Sequence, residues 1–269
     1  MPKGRKPNPV QKEWVSLMKQ EARFREKRIS TAPTRLEEAL TEKIPDKLED
    51  TLYKAFAKSF SLVFQRGGGL IEKTYSKKRR HDEYQRAAET ARKKQDRASY
   101  RAFSLRARNR SAGHILFAGV EGVGLGLLGI GLPDIPLFSA VLLRSVYEIA
   151  MSYGFGYESP EDQLFILLLI EAALLDGEDH PPKDEAINHW IDWGKAPEVS
   201  LKEQVDRCAH ALAARLLYMK FIQGIPLVGA LGGLSDGFYL QQVTEYSRIK
   251  YKRRFLRQGT PPVSPSKLD

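Results

Sequence analysis

Apolar residues recur along this chain at helical spacing, and no strand-type alternation competes with them. Residues 10–28 read as a short, highly charged helix with Val10, Trp14, Leu17 and Met18 on its apolar face. Pro45-Asp46 marks a second start: proline suits the first turn, and a carboxylate suits the positive end of the helix dipole. Leu48, Leu52, Phe56, Phe60 and Val63 then share one face, until Gly67-Gly68-Gly69 ends the run. Residues 70–110 continue as one long polar helical pattern.

The character changes at Ser111. From there to Leu143 there is no Lys or Arg, the only formal charges are Glu121 and Asp134, and seven glycines fall between Gly113 and Gly131. Pro133 and Pro136 interrupt the run, and a cleaner helix is predicted from about Leu137 to Tyr153, closed by Gly154 and Gly156. Ser159-Pro160-Glu161-Asp162 combines a cap, a proline and two carboxylates, a strong helix start. The run from Leu164 to Leu175 is apolar on nearly every face and predicts a buried central helix.

An acidic loop is expected from Asp176 to Asp184, then a short helix with Ile187, Trp190, Ile191 and Trp193 that ends at Gly194. Ser200 and Glu203 form a capping box opening a helix to about Phe221. A last helix runs into Lys250, Lys252, Arg253 and Arg254, and the Pro/Ser-rich tail, residues 258–269, is expected to be disordered. The fold class is therefore all-α, a multi-helix domain with a central glycine-rich apolar hairpin and basic flanking helices. A basic arm with a short helix occupies residues 1–35, and the main helical domain spans 36–257.

Charge sharpens this picture. The 269 residues carry a net charge of +10, but it is segregated: residues 1–110 hold 29 Lys and Arg against 14 Asp and Glu, residues 111–247 hold 7 against 18, and residues 248–269 hold 7 against 1. An acidic, apolar centre is thus flanked by basic segments, which favour anionic partners, either phospholipid head groups or nucleic acid. Cys208 is the single cysteine, so no internal disulfide forms. No apolar signal region follows the basic start, so a reducing cytosol is the expected compartment.

Few constellations carry chemistry. Gly124-Leu-Gly126-Leu-Leu-Gly129 spells the dinucleotide fingerprint, yet it sits in an apolar run with no preceding strand and Pro133 close behind. No Gly-Lys-Ser/Thr follows any of these glycines, and no cofactor is expected. A metal or hydrolase site would draw on Asp176, Glu178, Asp179, His180, Asp184, Glu185 and His189, but Pro181-Pro182 splits the set and no H-E-x-x-H spacing occurs. Arg144 and Glu148, four apart on an apolar helix, form a candidate polar cluster with Glu121 and Asp134, in which a structural ion pair is the favoured reading. Cys208 and His210, two apart, face different sides of their helix and read as packing residues.

Gly131-Leu-Pro-Asp-Ile-Pro-Leu, Leu143-Arg-Ser-Val-Tyr-Glu-Ile-Ala150 and Tyr153-Gly154 together resemble the central signature of the EcsC family. Ile225-Pro-Leu-Val-Gly-Ala, Gly232-Gly233 and Arg253-Arg254-Phe255-Leu256 resemble its C-terminal signature. The likeness covers about residues 110–257. It implies an all-α cytosolic protein and an association with membrane transport, since the family is named for a gene beside an ABC-transporter operon. It brings no catalytic residues to carry over, and none are assigned.

These readings converge on a non-enzymatic accessory protein, peripherally associated with the cytoplasmic face of a membrane, with an ABC transporter or other membrane machinery as partner. The candidate membrane or packing element is the segment with Gly122, Gly124, Gly126, Gly129 and Gly131 and the apolar Leu125 and Leu128. It is long enough to cross a bilayer, for which about 20 apolar residues suffice. Its nine large apolar residues between Ile115 and Ile130 are set against Glu121, which costs about 3 kcal/mol at a bilayer centre, so a buried or interfacial hairpin fits better than a span. Candidate contacts to an anionic surface are Lys77, Lys78, Arg79, Arg80, Arg92, Lys93, Lys94, Arg253 and Arg254. The rivals are a nucleic-acid-binding protein using residues 77–110, which lacks the aromatic interleaving of single-strand binders, and a metal-dependent hydrolase built on residues 176–189.

Overall fold

The computed structural model describes residues 9–30, 46–65, 135–222 and 232–258. They form seven α-helices, and no strand occurs among the described residues. The helices are α1 (Pro9–Ser30), α2 (Asp46–Gln65), α3 (Ile135–Ser152), α4 (Pro160–Leu174), α5 (His180–Trp193), α6 (Leu201–Ile222) and α7 (Gly232–Gln258), with a short 3-10 turn at Gly177–Asp179 before α5.

The layout follows from α4. Every residue from Phe165 to Leu174 is buried, so the helix must be covered all round, as its unbroken apolar run demands. It packs against α5, α6 and α7. α2 closes one flank by packing on α6 and α3, with Leu52, Phe56 and Phe60 buried at the predicted spacing. α3 packs on α7 as well, and α1 closes the other flank against α7 and α5. The region assigned to a basic arm therefore contributes a helix to this packing.

Local signals explain the ends. The Ser159 side chain accepts a hydrogen bond from the Asp162 N–H at 3.1 Å, capping α4. Ser200 does the same for Glu203 at 3.1 Å and opens α6. Gly194 adopts φ 71°, a left-handed conformation open to glycine, and its N–H closes α5 on the Trp190 carbonyl. α3 starts at Ile135, earlier than expected, because Pro136 lies in the first turn, where no intrahelical N–H bond is needed.

Two expectations are corrected. The stretch from Asp176 to Asp184 is not an acidic loop: it is the 3-10 turn and the start of α5, which takes Pro181 and Pro182 into its first turn. On α1, Met18 is 42% exposed, because the inward face steps through Val10, Trp14, Leu17, Phe24 and Arg28, one residue off Met18.

Candidate functional site

The inner side of α1 is half charged, and its partners lie on α5 and α7. On α5, Asp184, Asn188 and Asp192 are four residues apart and stack along one face. Asp184 is the hub. Its Oδ1 lies 2.6 Å from Lys250 Nζ and accepts the Tyr246 hydroxyl at 2.8 Å, while its Oδ2 accepts Arg25 Nη2 at 2.6 Å. Burial alone would push this carboxyl up, but Lys250, Arg25 and Tyr246 together hold it well below the usual carboxylate range.

One step along, Lys250 also donates to Glu21 Oε1 at 3.1 Å and Asn188 Oδ1 at 2.7 Å. Arg253 bridges Glu21 at 2.7 Å and Asp192 at 2.5 Å, and Arg257 Nε reaches Asp192 Oδ1 at 2.6 Å. Those two guanidinium groups also lie over the Trp14 ring, 5.7 and 5.0 Å from its centre. Burial works to raise the Asp192 carboxyl, and the two arginines overcome it and lower it. Lys252 Nζ donates to Glu13 Oε2 at 2.8 Å, both side chains being nearly buried. Charge matching thus runs the length of α1.

A second polar centre sits at the C-terminal end of α4. The last carbonyls of any helix lack intrahelical partners, and here the helix ends inside the protein. Each orphan meets a side chain from a different helix. His180 Nδ1 is 2.8 Å from the Ala172 carbonyl, Gln242 Nε2 donates to the Ala173 carbonyl, and Arg215 Nε donates to the Leu174 carbonyl at 2.6 Å. Arg215 also pairs with Asp176 at 2.6 Å, and Arg28 of α1 pairs with the same carboxylate at 3.1 Å. Burial pushes the Asp176 carboxyl up despite both arginines. His180 is buried among Phe24 and Tyr246, and burial lowers its pKa. Facing a carbonyl, Nδ1 must carry the proton, which leaves Nε2 as a buried acceptor without a partner among the described residues.

The residues of the rival metal-site reading are therefore not gathered round a common point. Asp176 and Asp184 face cations, His180 caps α4, and Glu185 and His189 lie exposed on α5. Among the described residues no group of three His, Cys, Asp or Glu converges as a metal cage would require.

Arg144 Nε and Glu148 Oε1 do pair, at 3.3 Å along α3. Their suggested companions Glu121 and Asp134 lie outside the described residues, as do Gly122, Gly124, Leu125, Gly126, Leu128, Gly129 and Gly131 of the glycine-rich segment and Lys77, Lys78, Arg79, Arg80, Arg92, Lys93 and Lys94 of the basic run. The Gly67–Gly69 stop, the polar pattern 70–110 and the tail 259–269 lie outside them too.

The remaining two cations expected on an anionic surface turn inward. Arg253 serves Glu21 and Asp192, and Arg254 lies over Phe155 and Phe165, 4.5 and 4.9 Å from their ring centres, and 3.8 Å from Asp162. Their stems are apolar enough to pack while the head groups find carboxylates and ring faces. Cys208 is buried, whereas His210 stacks on Tyr53 at 3.9 Å on another side of α6, as their spacing implies.

The sequence reading missed Glu13, Glu21, Arg25, Arg28 and Asp192. One signal was present: Glu13, Leu17, Glu21, Phe24 and Arg28 recur every three or four residues, so charged positions take turns with apolar ones on a single face. Lys250 and Lys252 read in the sequence as a basic helix end, because their partners Asp184, Glu21 and Glu13 lie far away along the chain.

No helix among the described residues is long and apolar enough to cross a membrane. No solved structure matches this chain. Protein EcsC of Bacillus subtilis (strain 168) is 25% identical over 150 residues, which cover 52% of this chain and 58% of that protein. The sequence model of the EcsC protein family matches residues 11–256, taking in every described helix from the first turn of α1 to the last turn of α7, and the chain belongs to that family.

Proposed function

We propose that the chain is a non-enzymatic accessory protein that works peripherally at the cytoplasmic face of a membrane, in support of an ABC transporter or other membrane machinery. The observation that carries this reading is the basic excess of the first 110 residues, 29 Lys and Arg against 14 Asp and Glu. The excess after residue 247 adds little to the surface, because Lys250, Lys252, Arg253, Arg254 and Arg257 face carboxylates or rings inside the fold. A basic surface is drawn to anionic lipid by about 1 kcal/mol per residue near the membrane. The described helices add one support: the carboxylates Asp176 and Asp184 face arginine and lysine in roles that suit packing.

Cell fractionation tests the reading. The protein is expected in the membrane pool at low salt and released by high salt or carbonate, since exposed charges are screened within about 8 Å at physiological ionic strength. Recovery in the soluble pool at low salt, or tighter binding to duplex DNA than to acidic vesicles, overturns it.

A further inference from the structure

We infer that the outward face of α1 is the surface that meets anionic phospholipid, an assignment that rests on the membrane-surface reading above. Val15, Met18 and Ile29 are 47%, 42% and 46% exposed; among the described residues the other large apolar side chains so exposed, Trp193 and Phe238, stand singly on α5 and α7, whereas these three share one helix. Positions 15, 18, 22 and 29 are separated by three, four and seven residues and return to one side of a helix, so with the exposed Ala22 they make an apolar strip. Lys12, Lys19 and Arg23, seven and four apart, lie beside it and are exposed.

The two sides of α1 treat charge differently. Inward, Glu13, Glu21, Arg25 and Arg28 are each matched by an opposite charge from α5, α7 or the turn before α5. Outward, Lys12, Lys19 and Arg23 form no ion pair among the described residues, and Glu26 is the single exposed carboxylate of the helix. An apolar strip bordered by cations is what a helix lying in the plane of a bilayer surface presents: the strip enters the acyl boundary while lysine and arginine reach head-group phosphates. The inner ion pairs fix how α1 is rolled, so the strip is displayed by a rigid domain. A second copy seated on this face would bring the cations toward their own kind, whereas acidic lipid supplies the opposite charge.

Cosedimentation of the full chain with vesicles of phosphatidylcholine alone, and with added phosphatidylserine, tests the assignment. Val15→Asp with Met18→Asp, and separately Ile29→Asp, are expected to weaken binding to the acidic vesicles by about tenfold or more, with circular dichroism and melting unchanged because the sites are exposed. Reversal of Lys12, Lys19 and Arg23 to Glu is expected to weaken it by more than about fivefold per cation. If these variants bind as the unmodified chain does while reversal of Lys77, Lys78, Arg79 and Arg80 abolishes binding, the membrane contact lies elsewhere and the α1 assignment fails alone. If the unmodified chain ignores acidic vesicles, the underlying reading fails with it. A lipid-free dimer that dissociates in Val15→Asp would give this face to a second copy and overturn the assignment.

Discussion

Lys250 lies 2.6 Å from Asp184, and its side chain is wholly buried. An ammonium has three N–H donors, and Lys250 meets three acceptors, on Asp184, Glu21 and Asn188. The charge is therefore compensated on every side, which is the condition under which a buried lysine stays in place. Lys250→Met removes the cation and leaves Glu21 and Asp184 sharing Arg253 and Arg25. A loss of about 3–5 kcal/mol is expected, read from the urea midpoint at constant slope. A loss under about 1 kcal/mol would mean that water reaches the site. Lys250→Arg should not restore stability, because a planar fork cannot point at three acceptors arranged round an ammonium.

His180 gives the fold a weakness to mild acid. Its folded-state pKa is lowered by burial, so the unfolded chain binds a proton more readily than the folded one. The stability it contributes is full above the unfolded value of about 6.5 and is lost as pH falls from there through the folded value. Asp184, with a depressed pKa, adds a second loss only below about pH 4, the unfolded carboxylate range. His180→Phe keeps an aromatic ring beside Phe24 and Tyr246 but cannot titrate. Its stability should fall less steeply between pH 7 and pH 5 than that of the unmodified chain, whatever the two values are at pH 7. Parallel curves would show that His180 is not responsible.

The helix starts were written in short signals, and the buried charges were not. Ser159-Pro160 and Ser200-x-x-Glu203 act within one turn, so residues three apart suffice to place α4 and α6. Leu52, Phe56 and Phe60 announce a buried face because apolar side chains have one preferred destination. A charged side chain has two, water or an opposite charge, and the choice depends on partners far away in sequence. Arg25 and Asp184 are 159 positions apart, Glu13 and Lys252 239. Taken alone, α1 reads as a highly charged helix with one apolar face, and Arg253-Arg254 as contacts for an anionic surface, since nothing local reveals Asp192 or Phe165 opposite them. The C-terminal cap of α4 was hidden for the same reason: His180, Arg215 and Gln242 are spread over three helices and converge only in the fold.

Cys208 should be chemically silent in the folded protein. It is fully buried, and burial, with Glu171 nearby, pushes its thiol pKa well up, so almost no thiolate forms at pH 8. A disulfide reagent such as Ellman's is expected to label one thiol promptly in denaturant, and in native buffer only at the rate at which the core opens. Prompt stoichiometric labelling in native buffer would show that α6 exposes this face in solution.

The pair of Glu13 and Lys252 offers the sharpest check that α1 is fixed in the order described, because it is simple. The two groups lie 2.8 Å apart with both side chains nearly buried. Glu13→Lys sets two cations against each other, and Lys252→Glu sets two carboxylates. Each leaves buried charge uncompensated, and each is expected to lower stability by about 3–5 kcal/mol. Exchanging both restores opposite charges at the same positions, so the double variant should recover a large part of the combined loss. The coupling should exceed about 1 kcal/mol, beyond what an exposed pair gives. Denaturation of all four proteins in one buffer gives the cycle directly. Simple additivity would mean that the two side chains do not meet, and that α1 is held by Leu17, Phe24 and its other ion pairs rather than by contact along its whole length.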